Sequence, residues 1–272
     1  MKFRLPLLSV LLCATTATAE VKLPSVFSDH MVLQRDKPIP VWGTAAPGEE
    51  VVVEFAGQKK NAKADAAGKW MVTLDAVPAN NEPQALKAGG VTIQDVLVGE
   101  VWLASGQSNM EWEMQMKPDS KADISGANHP LLRLIEIPKT VALTPQEDVP
   151  AAWAPCTPES AASFSAVGYY FGLRLLEELK VPVGIIQSAW GGTRIEPWTS
   201  EAGFDAVPEL KAFADLTRKE IGNGAPNDGL GLTTAHGWAL GTLATGGPRT
   251  YYVDDVRVVS TIPEPGTVAL AG

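Results

Sequence analysis

Between residues 21 and 97 the chain alternates short apolar, β-branched runs with clusters of glycine, proline and alanine. The runs are Val41-Trp42, Val51-Val52-Val53-Glu54-Phe55, Trp70-Met71-Val72-Thr73-Leu74 and Val91-Thr92-Ile93. Between them stand Ala46-Pro47-Gly48, Ala56-Gly57, Ala67-Gly68-Lys69 and Ala88-Gly89-Gly90. Apolar runs of this length bounded by turn residues read as strands, and their spacing predicts a small β-sandwich over residues 20–97, an accessory domain. Trp42, Phe55 and Trp70 fit two readings, contact with sugar or a place in the core, and an alternating strand favours the core.

At Val98 the pattern changes, and a domain boundary is placed there. Strands now alternate with helical periodicity, as in an α/β layer protein, over residues 98–220. Val101-Trp102-Leu103-Ala104 suits a buried parallel strand and runs directly into Ser105-Gly106-Gln107-Ser108-Asn109-Met110. Leu131 to Ile137 is a second strand. From Phe164 to Leu179, Val167, Tyr170, Phe171, Leu175 and Leu179 fall at three- and four-residue steps, which predicts a helix stopped before Pro182. Val183-Gly184-Ile185-Ile186 is a third strand, opening into Ala189-Trp190-Gly191-Gly192-Thr193-Arg194. Two glycine-rich turns are thus expected at one edge of a sheet, where open α/β folds place their chemistry.

The chain's ends have a different character. Lys2 and Arg4 precede an apolar run from Leu5 to Ala14 and the small-residue pattern Ala17-Thr18-Ala19. This predicts a signal peptide over residues 1–19, cleaved before Glu20, since the run is too short to span a bilayer. Its loss takes two of the 22 basic groups and none of the 31 acidic ones, moving the net charge from -9 to -11. Such a balance disfavours nucleic acid and anionic membrane as partners. Cys156 then remains as a lone thiol, with no neighbouring base or cation to activate it. His30, His129 and His236 are far apart in sequence, and no metal-ligand spacing occurs, so no metal site is expected.

Ester hydrolysis by a serine needs a hydroxyl projecting from a tight turn, a base for its proton, and donors facing the developing oxyanion. Ser108 meets the first condition, with Gly106 admitting the close turn before a helix begins. The Ser108 N–H is one potential donor, and Gly191 and Gly192 offer another from the neighbouring turn. Gln107 and Asn109 flank the hydroxyl as substrate-binding candidates.

Three blocks resemble the sialate O-acetylesterase family in order and spacing. They are Val26-Phe27-Ser28-Asp29-His30-Met31-Val32-Leu33-Gln34, Gly99 through Met110 with its Gly-Gln-Ser-Asn core, and Trp190-Gly191-Gly192-Thr193-Arg194-Ile195-Glu196-Pro197-Trp198. The resemblance covers about Val21 to Glu220. It implies an α/β fold in which a β-sandwich precedes a partial flavodoxin-like hydrolase domain of SGNH type. It further implies Ser108 as nucleophile, a backbone oxyanion donor near Gly192, no cofactor, and acetylated sugars or glycans as substrates.

The family's Gln-Gly-Glu block and its Asp-x-x-His block, which carry an oxyanion asparagine and the base, do not occur in these 272 residues. His236 is the candidate base by elimination, yet Thr233 stands where the motif has aspartate. Residues 221–272 form a divergent tail rich in glycine and threonine, with a strand expected over Thr250 to Val259. Ile262-Pro263-Glu264-Pro265-Gly266 resembles the start of a PEP-CTERM sorting segment, which implies a periplasmic, cell-surface or extracellular destination. Two functions follow as expectations: a carbohydrate O-acetylesterase of incomplete catalytic equipment, or a noncatalytic exported glycan-binding protein derived from one.

Overall fold

The computed structural model describes residues 20–140, 146–193, 206–212 and 215. The expected signal segment, the end of the third family block from Arg194, His236 and the tail lie outside them. Ten strands and four α-helices are described. They run β1 (Val32–Gln34), β2 (Ile39–Thr44), β3 (Glu50–Phe55), β4 (Gln58–Lys63), β5 (Lys69–Leu74), β6 (Asn80–Ala88), β7 (Val91–Gly106), α1 (Ser108–Glu111), α2 (Lys121–Ser125), β8 (His129–Glu136), β9 (Ala154–Cys156), α3 (Pro158–Ala162), α4 (Ala166–Leu179) and β10 (Val183–Ala189).

The sandwich forms because its strands alternate. In β3 the side chains of Val51, Val53 and Phe55 turn inward, and in β5 those of Trp70, Val72 and Leu74 do the same. β2 pairs antiparallel with β5 as a separate two-stranded sheet, and its Val41 is fully buried in the core that β3 and β5 share. Burying such side chains contributes about 1.5–3 kcal/mol each. Phe55 and Trp70 lie in this core, whereas Trp42 is half-buried and meets Phe27 edge to face at 4.6 Å.

β7 joins the sandwich to the layer that follows. Its first half pairs antiparallel with β6, Leu97 to Gly99 pair parallel with β1, and Glu100 to Gly106 pair parallel with β10. The boundary expected at Val98 therefore falls inside one continuous 16-residue strand. The core does not divide there either: Ile135, Ile137, Trp153 and Ile186 pack in the same cluster as Val41, Val53 and Leu74. The Trp153 indole N–H donates to Val26 O at 3.0 Å, and Gly184 lies under its ring. A polar tie crosses the same seam. Asp95 of β7 accepts two bonds from the buried Arg133 of β8, at 2.6 and 3.0 Å, and a third contact from His30 Nδ1 at 2.6 Å.

Beyond β7 the parallel strands run in the order β7-β10-β8. β10 is buried along its whole length, as a central parallel strand covered on both faces must be. The expected helix is α4, capped by the Ser165 hydroxyl, which accepts from Gly168 N at 3.0 Å. It ends at Lys180, whose φ is 58°.

The apolar spacing that predicted this helix does not mark its most buried side. Val167 and Phe171 are exposed, while Ala166, Gly168, Tyr169 and Gly172 are buried. A Cβ at Gly172 would come within 2.8 Å of Ile185 Cγ1 and 2.9 Å of Leu132 Cδ1. The helix thus approaches the sheet through its small residues, and the larger apolar ones are displaced to its flank. Phe171 packs there edge to face on Trp102 at 5.1 Å.

Candidate active site

Three loops leave the carboxyl edge of the parallel sheet, after β7, β8 and β10. The first is held by Gly106, whose φ of 145° an L side chain rarely adopts. This conformation turns the chain sharply enough for α1 to begin two residues later, at Ser108. Ser108, Gln107 and Asn109 are all exposed. The Ser108 hydroxyl donates to Gln107 Oε1 at 2.8 Å, and the Ser108 N–H points at the same oxygen at 3.2 Å. The acceptor is a neutral amide oxygen, which orients a hydroxyl but does not take its proton at neutral pH.

The loop after β10 lies against this turn. Trp190 N donates to Gly106 O at 3.0 Å. A Cβ at Gly191 would sit 3.5 Å from both Cα and Oγ of Ser108 and would strike the Glu111 carboxylate. A side chain at 191 would displace the Glu111 carboxylate. The two glycines are not equivalent as donors. Gly191 N donates to Glu111 Oε2, so in this structure its N–H is committed to a carboxylate. Gly192 is exposed, with φ of 80°, and its N–H has no partner among the described residues.

The third loop contributes Lys139, whose Nζ pairs with Glu111 Oε1. Beneath the site, the buried Gln187 of β10 accepts from Ser165 N at 2.6 Å and faces Glu136 Oε1 at 3.4 Å. Burial, with the charge of Glu113 adding to it, pushes the Glu136 carboxyl up. Sequence reasoning missed Glu111, Lys139 and Gln187. For Glu111 a signal existed, because a residue three positions after Ser108 on a helix shares its face.

The two described histidines stand elsewhere. His30 bonds Asp95, and His129 Nε2 is 3.4 Å from the Tyr169 hydroxyl. Neither contacts Ser108. Cys156 is fully buried, and that burial pushes its thiol up to about 11, in keeping with a structural role. No group of side chains able to hold a metal ion occurs among the described residues.

Residues 98–218 match the family model described as carbohydrate esterase, sialic acid-specific acetylesterase. The sialate O-acetylesterase of Homo sapiens is 32% identical over 202 residues, covering 66% of this chain and 39% of that protein. That of Mus musculus is 29% identical over 234 residues, covering 77% of this chain and 43% of that one. Among solved structures, a carbohydrate acetylesterase from Xanthomonas citri is similar at 40% identity with a TM-score of 0.64, covering 67% of this chain and 43% of its own. The chain spans less than half the length of each of these relatives. Over residues 98–218 the chain is thus similar in sequence to the carbohydrate esterase, sialic acid-specific acetylesterase family, and in fold it is similar to a carbohydrate acetylesterase.

Proposed function

We propose that the protein is an exported serine esterase acting on acetyl esters of sugars or glycans, with Ser108 as nucleophile and the Gly192 N–H as an oxyanion donor. The observation that carries this reading is the packing of the Gly191-Gly192 loop against the Ser108 turn, close enough that a Cβ at Gly191 would lie 3.5 Å from Ser108 Oγ, at the carboxyl edge of a parallel sheet. Attack forms a bond from Oγ to the acetyl carbon, with negative charge developing on the carbonyl oxygen, which the backbone N–H groups stabilise. Collapse expels the sugar oxygen, which takes up the proton lost by Ser108 and leaves as the free hydroxyl; water then adds to the acetyl carbon, releasing acetic acid and returning a proton to Ser108 Oγ. For the Ser108 N–H to join Gly192, the exposed Gln107 side chain must swing away. Asn109, also exposed, faces solvent where the sugar would approach.

Export rests on the basic, apolar and small-residue sequence of residues 1–19, and the PEP-CTERM-like segment supports a surface or extracellular destination. No helix among the described residues is long and apolar enough to cross a membrane.

The partner of the Ser108 hydroxyl favours a second reading, because an amide oxygen supplies no general base. On that reading the chain binds glycans at the surface without turnover. Release of acetate from an acetylated sugar by the 272-residue protein and its Ser108→Ala variant separates the two. Serine-dependent release supports the esterase, and glycan binding with no serine-dependent release supports the binding protein.

A further inference from the structure

One carboxylate ties together all three loops at the sheet's carboxyl edge. Glu111 sits on α1, after β7; its Oε2 accepts from Gly191 N, after β10; its Oε1 pairs with Lys139, after β8. The Glu111 side chain is 24% exposed and that of Lys139 42%, so the pair is partly withdrawn from water without the cost of full burial. Hydrogen bonds to a charged acceptor are roughly twice as strong as neutral ones. The loop after β10 is thereby pinned at two consecutive amides, Trp190 on Gly106 O and Gly191 on Glu111. The next amide, Gly192, is left without a partner among the described residues.

We propose that Glu111 is a positioning residue for the esterase reaction: it locks Gly191 so that the Gly192 amide is presented to the carbonyl oxygen of an ester at Ser108, and Lys139 orients the carboxylate. The inference rests on the reading of Ser108 as nucleophile. Glu111 is not the base in this arrangement, since its two oxygens engage Gly191 and Lys139 while the Ser108 hydroxyl bonds Gln107. The geometry also accounts for glycine at 191, where any Cβ would occupy the space of the carboxylate.

The test pairs a chemical readout with a spectroscopic one. The first is the rate at which an alkyl fluorophosphonate labels Ser108, a reaction that forms an oxygen–phosphorus bond, expels fluoride with the serine proton, and develops negative charge on the phosphoryl oxygen. The second is the amide resonance of Gly191 in the ¹⁵N-labelled protein. Thermal midpoints within a few degrees of wild type certify that the variants fold.

Glu111→Ala should move the Gly191 amide proton upfield and slow labelling about 100-fold, the scale of a misplaced donor. Glu111→Gln, which keeps an acceptor oxygen but not the charge, should recover part of that loss, and Lys139→Met should cost about 10-fold or less. An unmoved Gly191 resonance in Glu111→Ala overturns the inference, as does wild-type labelling in a variant whose resonance has moved. If the wild type itself is not labelled, the nucleophile reading of Ser108 fails and the catalytic part of the inference fails with it. The Gly191 resonance then still decides whether Glu111 holds the loop.

Discussion

Ser108 gives its hydroxyl hydrogen to Gln107, the residue immediately before it, at 2.8 Å. The nucleophile candidate is thus held by an exposed neighbour that is no base. Base assistance contributes about 100- to 10,000-fold to reactions of this kind.

The 272-residue chain is accordingly expected to release acetate from aryl acetates and acetylated sugars far more slowly than a full-length family member. Comparison of the chain with its Ser108→Ala and His236→Ala variants decides the matter. Fast turnover lost in both variants would contradict the expectation and install His236 as the base.

Gly106 holds a backbone conformation that side chains rarely adopt, with φ of 145°. Gly106→Ala should lower the free energy of unfolding by about 1–3 kcal/mol, read from urea denaturation. Its added Cβ meets only Met110 Cβ, at 3.5 Å, so a loss would report the backbone rather than crowding. An unchanged midpoint would argue against the strained turn.

Arg133 is 5% exposed and holds Asp95 through two hydrogen bonds. Arg133→Ala should destabilise the fold by about 2 to 3 kcal/mol, under the range for a fully buried pair because Asp95 keeps some solvent and His30. The Arg133 hydrogen bonds lower the Asp95 carboxyl, with His30 assisting against the opposing effect of burial. A group lowered on folding stabilises the native state above its unfolded value and loses that contribution as pH falls through its folded value. The stability advantage of wild type over Asp95→Asn should therefore persist at neutral pH and shrink on acidification below about 4, the ordinary aspartate value. A constant difference down to about pH 2 would contradict the assignment.

Cys156 is buried and its thiol is pushed up to about 11. In folded protein lacking residues 1–19 it should resist an aromatic disulfide reagent at pH about 8, since the thiolate is the reactive form. It should titrate promptly after denaturation. Stoichiometric reaction of the native protein would show an open site.

Much of the architecture was legible because burial writes itself into alternation: β3, β5 and the parallel strands all carry runs that only a buried strand explains. β4 was not legible. Its sequence, Gln58-Lys59-Lys60-Asn61-Ala62-Lys63, has no inward apolar face to read, and β3 recruits it by pairing across the Ala56-Gly57 turn. The inner face of α4 was not legible for a related reason, since Gly172 makes the close contact with the sheet while carrying no hydrophobic signal. At the site, Ser108 and the two glycines stand out in the chain as turn residues. The join of Glu111 to Lys139 and Gly191 does not, because each partner comes from a different loop and only the sheet's order brings them together.

The unbroken β7 has a mechanical consequence. Sixteen residues of strand, irregular at Asp95 where φ is 54°, reach at most roughly 50 Å at about 3.3 Å per residue, from the sandwich at one end to the Ser108 turn at the other. Anything that grips the sandwich takes hold of the same strand whose tip aims Ser108. Anchorage and aim are then one property, and swivelling the front of the protein means bending its sheet.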